Sequence, residues 1–223
     1  SDKFRKINFS RGRMKNKFIL NLSIYSFILY YFIFLIFSLP ALANSVLEIK
    51  EDDFILGNSA APITIIEYAS LSCSHCADFH IKTLPKLIEE YVDTSKAKIV
   101  LRDFPFNYPA LLGSMVLRCV PSDVRYAYTD ALYKLQSKWV VRENEKTTQE
   151  LYKIMQSGGM TKDQFNQCIE NVDIENKILQ GLMEAQKEFN IKSTPSFLIN
   201  GILIEGNKPI EDFRQIINKL LSE

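Results

Sequence analysis

The chain reads as an α/β protein: strand–helix–strand, then a helical block, then a hairpin and a closing helix. Three observations predict this. Pro62 precedes Ile63-Thr64-Ile65-Ile66-Glu67-Tyr68, a β-branched run of the kind that forms buried strands. Residues 108–189 read as helical throughout. Beyond them, Ser196-Phe197-Leu198-Ile199 and Ile202-Leu203-Ile204 flank Asn200-Gly201, a strong two-residue hairpin signal.

The N-terminal stretch is set apart first. Residues 1–17 hold seven Lys or Arg and one Asp, a net of +6. Phe18 to Leu39 is almost wholly apolar, and Pro40-Ala41-Leu42-Ala43 follows with a small-x-small cleavage pattern. Basic region, apolar region and cleavage site stand in the order of an export signal. Residues 1–43 are therefore expected to be a signal peptide cleaved after Ala43. The apolar run is also long enough to serve as an uncleaved anchor. Met14-Lys15-Asn16-Lys17 looks like a natural start. Either reading sends the body of the chain outward, into a compartment where disulfides persist.

The whole chain is formally +1, so the body carries about −5. No basic stripe is present, which argues against a nucleic-acid partner. Residues 44–61 are expected to be a leader or linker, with 44–59 exposed because of Glu48, Glu51, Asp52 and Asp53. Residues 62–107 and 190–223 carry the strands, on either side of the helical block at 108–189.

Within residues 62–107, a helix is expected from near Cys73 to about Tyr91, kinked at Pro85. A second strand begins at Ile99-Val100-Leu101 and ends at Asp103-Phe104-Pro105. In the helical block, Pro121-Ser122 breaks the run, and another helix follows to about Val140. Thr147 and Glu150 have capping-box spacing, Gly158-Gly159 stops that helix, and Thr161 with Gln164 repeats the pattern. Ile174, Ile178, Leu182, Ala185 and Phe189 form a packing stripe. Gly206 bends the chain before an amphipathic helix from Ile210 to Leu221.

The chemistry concentrates at Cys73-Ser74-His75-Cys76. Such a pair is a redox couple, a structural bridge or a set of metal ligands. A cysteine attacks only as thiolate, so its acidity must rise above that of a free thiol. At a helix start, Cys73 meets unpaired N–H groups and the positive end of the dipole. His75, when protonated, adds to this. Cys76, one turn in, is expected to be more buried and to resolve the mixed disulfide. Zinc would take Cys73, Cys76 and His80 and still want a fourth ligand. The chain has two histidines and no second close cysteine pair, so no metal is expected, and His80 reads as a polar residue on the helix surface.

Glu67 lies inside an otherwise apolar strand. It is either a strand-end residue facing water or a buried acid that exchanges protons with Cys76. Pro195 either starts a strand or forms a cis bond with Thr194 beside Cys73. The cis form would let the Thr194 backbone pair with an extended substrate.

Ile65 to Cys76 together with Thr194-Pro195-Ser196-Phe197 resembles the DsbA family of periplasmic thiol:disulfide oxidoreductases, particularly its alphaproteobacterial members. The resemblance covers about residues 50–221. It implies a thioredoxin-like fold with a helical domain, residues 108–189, inserted between the two halves of the sheet, 62–107 and 190–223. It also implies that Cys73 is the nucleophile, Cys76 the resolving cysteine, His75 the thiolate stabiliser, Glu67 the buried acid, and Pro195 a cis-proline. The family is itself a known case of a strongly acidic first cysteine, so a low value follows from the resemblance. It donates disulfides to exported proteins with free cysteines, is reoxidised by a quinone-linked membrane oxidoreductase, and needs no cofactor. Ser74 stands where the best-known members have Pro, which points to a milder potential.

Cys119 and Cys168 fall in predicted helices of the insertion. They are either buried free thiols or, as the oxidising compartment favours, a structural disulfide closing a 50-residue loop. The leading expectation is a monomeric periplasmic oxidant that touches a membrane only through the N-terminal segment. An isomerase or reductase of the same fold is the first alternative, and a thioredoxin-like chaperone the second.

Overall fold

The computed structural model describes residues 49–223. The signal or anchor segment and the Met14 start lie outside the described residues. The body is built on a five-stranded sheet with strand order β1-β3-β2-β4-β5. The strands are β1 (Phe54–Leu56), β2 (Ile63–Ala69), β3 (Ala97–Asp103), β4 (Ser196–Ile199) and β5 (Ile202–Glu205). β2 and β3 run parallel, while β1–β3, β2–β4 and β4–β5 are antiparallel.

Parallel neighbours require a crossover, and helices supply it here. β2 leads into α1 (Ser74–Lys82), α2 (Leu84–Leu87) and a π-helical turn (Ile88–Val92) before β3. The helix expected to run from Cys73 to Tyr91 is thus three pieces. The break falls at Thr83, two residues before Pro85, which occupies the first turn of α2, where its missing N–H costs nothing.

Between β3 and β4 lie six helices: α3 (Tyr108–Arg118), α4 (Ser122–Lys134), α5 (Gln136–Trp139), α6 (Asn144–Ser157), α7 (Lys162–Ile169) and α8 (Val172–Phe189). α9 (Ile210–Ser222) closes the chain. The fold is a mixed α/β thioredoxin-like one with a helical insertion, as the family resemblance implies.

Two apolar clusters follow from the alternation along β2, and a third lies beyond it. Ile63 and Ile65 point to the face covered by Phe79, Leu84 and Leu87 of the crossover and by Phe213 and Ile217 of α9. Ile66 and Tyr68 point to the opposite face, with Val100, Leu198 and Ala185 of the α8 stripe. The third cluster belongs to the insertion: Leu112, Val116, Trp139, Leu151, Met155 and Phe165 pack with Leu71 and Cys76. Cys76 therefore sits in the seam between the sheet domain and the helical block.

Local chemistry explains several boundaries. Asn200 (φ 45°) and Gly201 (φ 89°) both take positive φ, as the hairpin turn between β4 and β5 requires. The capping box at Thr161 and Gln164 is formed as expected. The one at Thr147 is not. α6 begins at Asn144, and the fully buried Thr147 instead donates from Oγ1 to the Val141 carbonyl at 3.1 Å.

Of the leader expected at 44–59, residues 49–59 are described; Glu51, Asp52 and residues 57–59 are exposed as expected, but the middle of the stretch is not a free leader. Phe54–Leu56 pairs with Ile99–Leu101 as an edge strand. Asp53 receives two bonds from the Arg102 guanidinium, at 2.7 and 3.0 Å. Arg118 joins Asp52 and Asp103, each at 2.9 Å, and Lys50 pairs with Glu184 of α8. Acidic residues that look like a solvated run are partners for two arginines, one on β3 and one on α3.

Candidate active site

Cys73 is the N-cap of α1, in extended conformation (φ −84°, ψ 121°). Its amide donates to the Ser70 carbonyl at 3.0 Å, and its carbonyl accepts from the Ala77 amide at 3.1 Å. Those bonds aim the side chain across the helix start. Both cysteines are free thiols; Cys73 is partly exposed and Cys76 is fully buried.

The acidity of the two sulfurs diverges. Cys73 is pulled down to about 5, first by the Cys76 thiol donating to it, then by Thr194 and by the backbone N–H groups of Cys76 and His75, against a desolvation cost. Cys76 moves the other way. Burial pushes it well above the ordinary thiol value, and the bond to Cys73 and the charge of Glu67 push it further. A hydrogen bond from the Ser70 amide at 3.5 Å favours its anion only weakly.

The Thr194–Pro195 bond is cis, and both residues are buried. The two oxygens of Thr194 act oppositely on Cys73. The carbonyl accepts from the thiol at 3.4 Å, favouring the protonated form. The buried hydroxyl has no partner in the dithiol form and favours the anion. The net acidity shows that groups favouring the thiolate prevail.

Cys73, Cys76, Thr194 and Pro195 come together as the sequence suggests. His75 does so only through its backbone, since its side chain is exposed. Glu67 has no exposure, which resolves the two readings in favour of the buried acid position. His80 is a correction. It is 3% exposed, not on the helix surface, and its Nε2 lies 3.2 Å from Glu67 Oε1. The face of α1 that carries it is covered by α4, where the Tyr133 ring stacks at 4.2 Å.

Three further residues support the site without a local sequence signal. Gln136 Nε2 donates to the carbonyls of Leu71 (2.8 Å) and Cys73 (3.0 Å). Ser72 Oγ donates to Asn107 Oδ1 at 2.9 Å, and the same oxygen caps α3 by accepting from Ala110. Gln136 of the insertion and Asn107, the cap of its first helix, thus grip the loop before the reactive cysteine at two points. Cys119 and Cys168 are bonded to each other elsewhere in the insertion, tying α7 to the end of α3. Among the described residues, no cluster of three or more His, Cys, Asp or Glu side chains could hold a metal ion.

The family model described as thioredoxin matches residues 50–219, most of the chain. The crystal structure of Wolbachia pipientis alpha-DsbA1 superposes with a TM-score of 0.74 at 31% identity, covering 79% of this chain and 94% of that one. This chain belongs to the DsbA-like branch of the thioredoxin superfamily. A Rickettsia bellii relative, assigned by name to the protein-disulfide oxidoreductases, is 32% identical over 178 residues, or 79% of this chain. The Rickettsia prowazekii relative is 28% identical over 178 residues. The chain spans 67% and 64% of the lengths of these two rickettsial proteins. A Novosphingobium aromaticivorans structure titled protein-disulfide isomerase shares the fold with a TM-score of 0.70 at 24% identity. The free Cys73–Cys76 pair in this fold supports dithiol–disulfide oxidoreductase activity.

Proposed function

We propose that this DsbA-like protein inserts disulfides into exported proteins by exchange at Cys73–Cys76. The observation that carries the reading is the asymmetry of the two sulfurs: one acidic and accessible, the other buried and held protonated. An accessible sulfur that is stable as an anion is a good leaving group, so a mixed disulfide at Cys73 is readily passed on. Stabilising the reduced form also raises the reduction potential, which makes the couple an oxidant.

The roles follow from the positions. Substrate thiolate attacks Cys73, and Cys76 leaves as thiolate and takes up a proton. A second substrate thiolate then attacks the substrate sulfur, releasing Cys73 as an anion. Glu67 is the buried acid that serves Cys76. Thr194 and Pro195 form the wall along which an extended, reduced polypeptide lies. Cys119–Cys168 braces the insertion. The working compartment is the periplasm, and reoxidation falls to a quinone-linked membrane oxidoreductase. Among the described residues, no helix is long and apolar enough to cross a membrane.

The test is thiol consumption when the oxidised protein meets a reduced, unfolded substrate, with Cys73→Ala as the control. Oxidation by the native chain and none by the variant is the expected result. An unreactive native chain defeats the proposal. Trapping Cys73–Cys76 mostly reduced in cells would favour the isomerase or reductase alternative, and full function in the variant would favour a chaperone.

A further inference from the structure

Glu67 and His80 form a buried pair with hydrogen-bonding capacity left over. Their side chains are 0% and 2% exposed, and they meet through one oxygen and one nitrogen. Glu67 Oε2 and His80 Nδ1 make no hydrogen bond. A buried polar atom without a partner costs about 1–3 kcal/mol, so two at one site call for an explanation.

His80 also lines a cavity of about 50 Å3, room for a few waters. Elsewhere its wall includes Asp103 and Arg118, whose side chains are 22% and 24% exposed. The cavity thus has His80, the base of the buried pair, on one side and solvent-touching groups on another.

Disulfide exchange creates a use for this arrangement. When the Cys73–Cys76 bond breaks, both bonding electrons leave with the Cys76 sulfur. That sulfur is fully buried and must acquire one proton; on reoxidation it must lose one. We propose that His80 is the proton carrier of the site, linking Glu67 to the cavity beside it, whose wall includes the hydroxyl residues Ser114 and Thr129. A proton from solvent reaches His80 Nδ1 through cavity water, and the imidazolium so formed gives its Nε2–H to the Glu67 carboxylate. The carboxyl then gives that proton to the Cys76 thiolate, leaving the His80 ring with its hydrogen on Nδ1, so that one proton passes from solvent to Cys76 and no electrons move outside the sulfur exchange. Reoxidation runs the sequence in reverse. This inference rests on the exchange reaction proposed above.

The surroundings suit transient protonation. Glu67 attracts an imidazolium. Across the cavity Arg102, Arg118 and Arg125 repel it, although Asp53 offsets Arg102, and Asp52 and Asp103 offset Arg118. Tyr133, stacked on the ring, is kept neutral by burial and adds no charge. His80 works through Glu67 and does not touch the reacting sulfurs, so it is a positioning residue with a proton to carry.

His80→Gln keeps an N–H donor for Glu67 but carries no proton. Single-turnover oxidation of a reduced dithiol peptide, followed from about pH 5 to pH 8, is expected to slow on the order of 10²-fold. The pH profile should change shape while the acidity of Cys73 stays as it was. Unchanged speed overturns the relay, and so does uniform slowing with the native pH profile. If the variant does not fold, nitrogen NMR of the native chain decides. The His80 ring protonation should differ between oxidised and reduced protein at one pH, and an identical state in both overturns the proposal. A native chain that oxidises nothing defeats the exchange reaction itself, whereas a fast variant defeats only the relay.

Discussion

Gln136 Nε2 lies 3.0 Å from the Cys73 carbonyl oxygen and donates to it, although Gln136 belongs to the insertion and Cys73 to the sheet domain. The same nitrogen donates to Leu71. One side chain therefore holds both ends of the turn that delivers the reactive sulfur. Gln136→Ala strands two carbonyls and should cost about 1–3 kcal/mol. Denaturant unfolding measures the loss, and the reaction of Cys73 with an alkylating agent should slow or speed as the turn loosens. Native stability together with native reactivity would contradict this.

Thr194→Val removes the hydroxyl that favours the Cys73 anion and keeps the carbonyl that favours the thiol. The Cys73 pKa should rise from about 5 by roughly one unit, the equivalent of one hydrogen bond. Thiolate absorbance against pH reads it directly. A value unchanged or lower would show that the hydroxyl does not act on the sulfur.

The same acidity sets a pH dependence of stability. Cys73 has a lower pKa folded than unfolded, so its anion stabilises the reduced native state above about pH 5. The full contribution is present above the ordinary thiol value and is lost as pH falls through about 5. In the oxidised protein this sulfur does not titrate. The melting temperature of the reduced form relative to the oxidised form should therefore fall between neutral pH and about pH 4. A gap that is constant over this range would be inconsistent with an acidic Cys73.

Gly113 on α3 packs where no side chain fits. A Cβ there would lie 2.9 Å from Leu71 Cδ1 and 3.0 Å from the Trp139 ring. Gly113→Ala must push the active-site loop or the fully buried Trp139, and overpacking of this kind costs about 1–3 kcal/mol. Trp139→Ala opens a cavity in the same place and should cost about 3–5 kcal/mol. Thermal unfolding of each variant tests the pair; a melting temperature raised by the alanine at 113 would refute the close packing.

Replacing Cys119 and Cys168 by Ala releases a 49-residue separation in the unfolded chain. The chain-entropy estimate of the loss is about 4 kcal/mol. Mass spectrometry of the non-reduced native protein should find the two linked, and free thiols at both would sink the expectation.

What sequence patterning reveals here is what local chemistry decides. Asn200-Gly201 announces its turn because only certain residues tolerate positive φ. Thr161 and Gln164 announce a helix start because both halves of the cap lie within one turn. The Cys-x-x-Cys pair and Thr194-Pro195 are legible for the same reason, as short motifs. Four features escape. Phe54–Leu56 is three residues long, and its strand character comes from β3, some 45 residues away. Asp52 and Asp53 look solvated until Arg102 and Arg118 are placed. His80 looks exposed because which face of α1 is covered depends on α4 and on Glu67, 13 residues back. Gln136, 63 residues from Cys73, carries no signal at all.

The placement of Cys76 within the insertion's core has a consequence for biosynthesis. Both redox cysteines leave the ribosome long before Trp139, Leu151 and Phe165, which enclose Cys76, and Cys73 leaves it 121 residues before Thr194, which contacts it. A growing chain therefore carries two unremarkable thiols, and the difference between them is created only when the last third arrives. A fragment ending before residue 108 should accordingly alkylate at both positions alike, which keeps a half-made enzyme from trapping its neighbours.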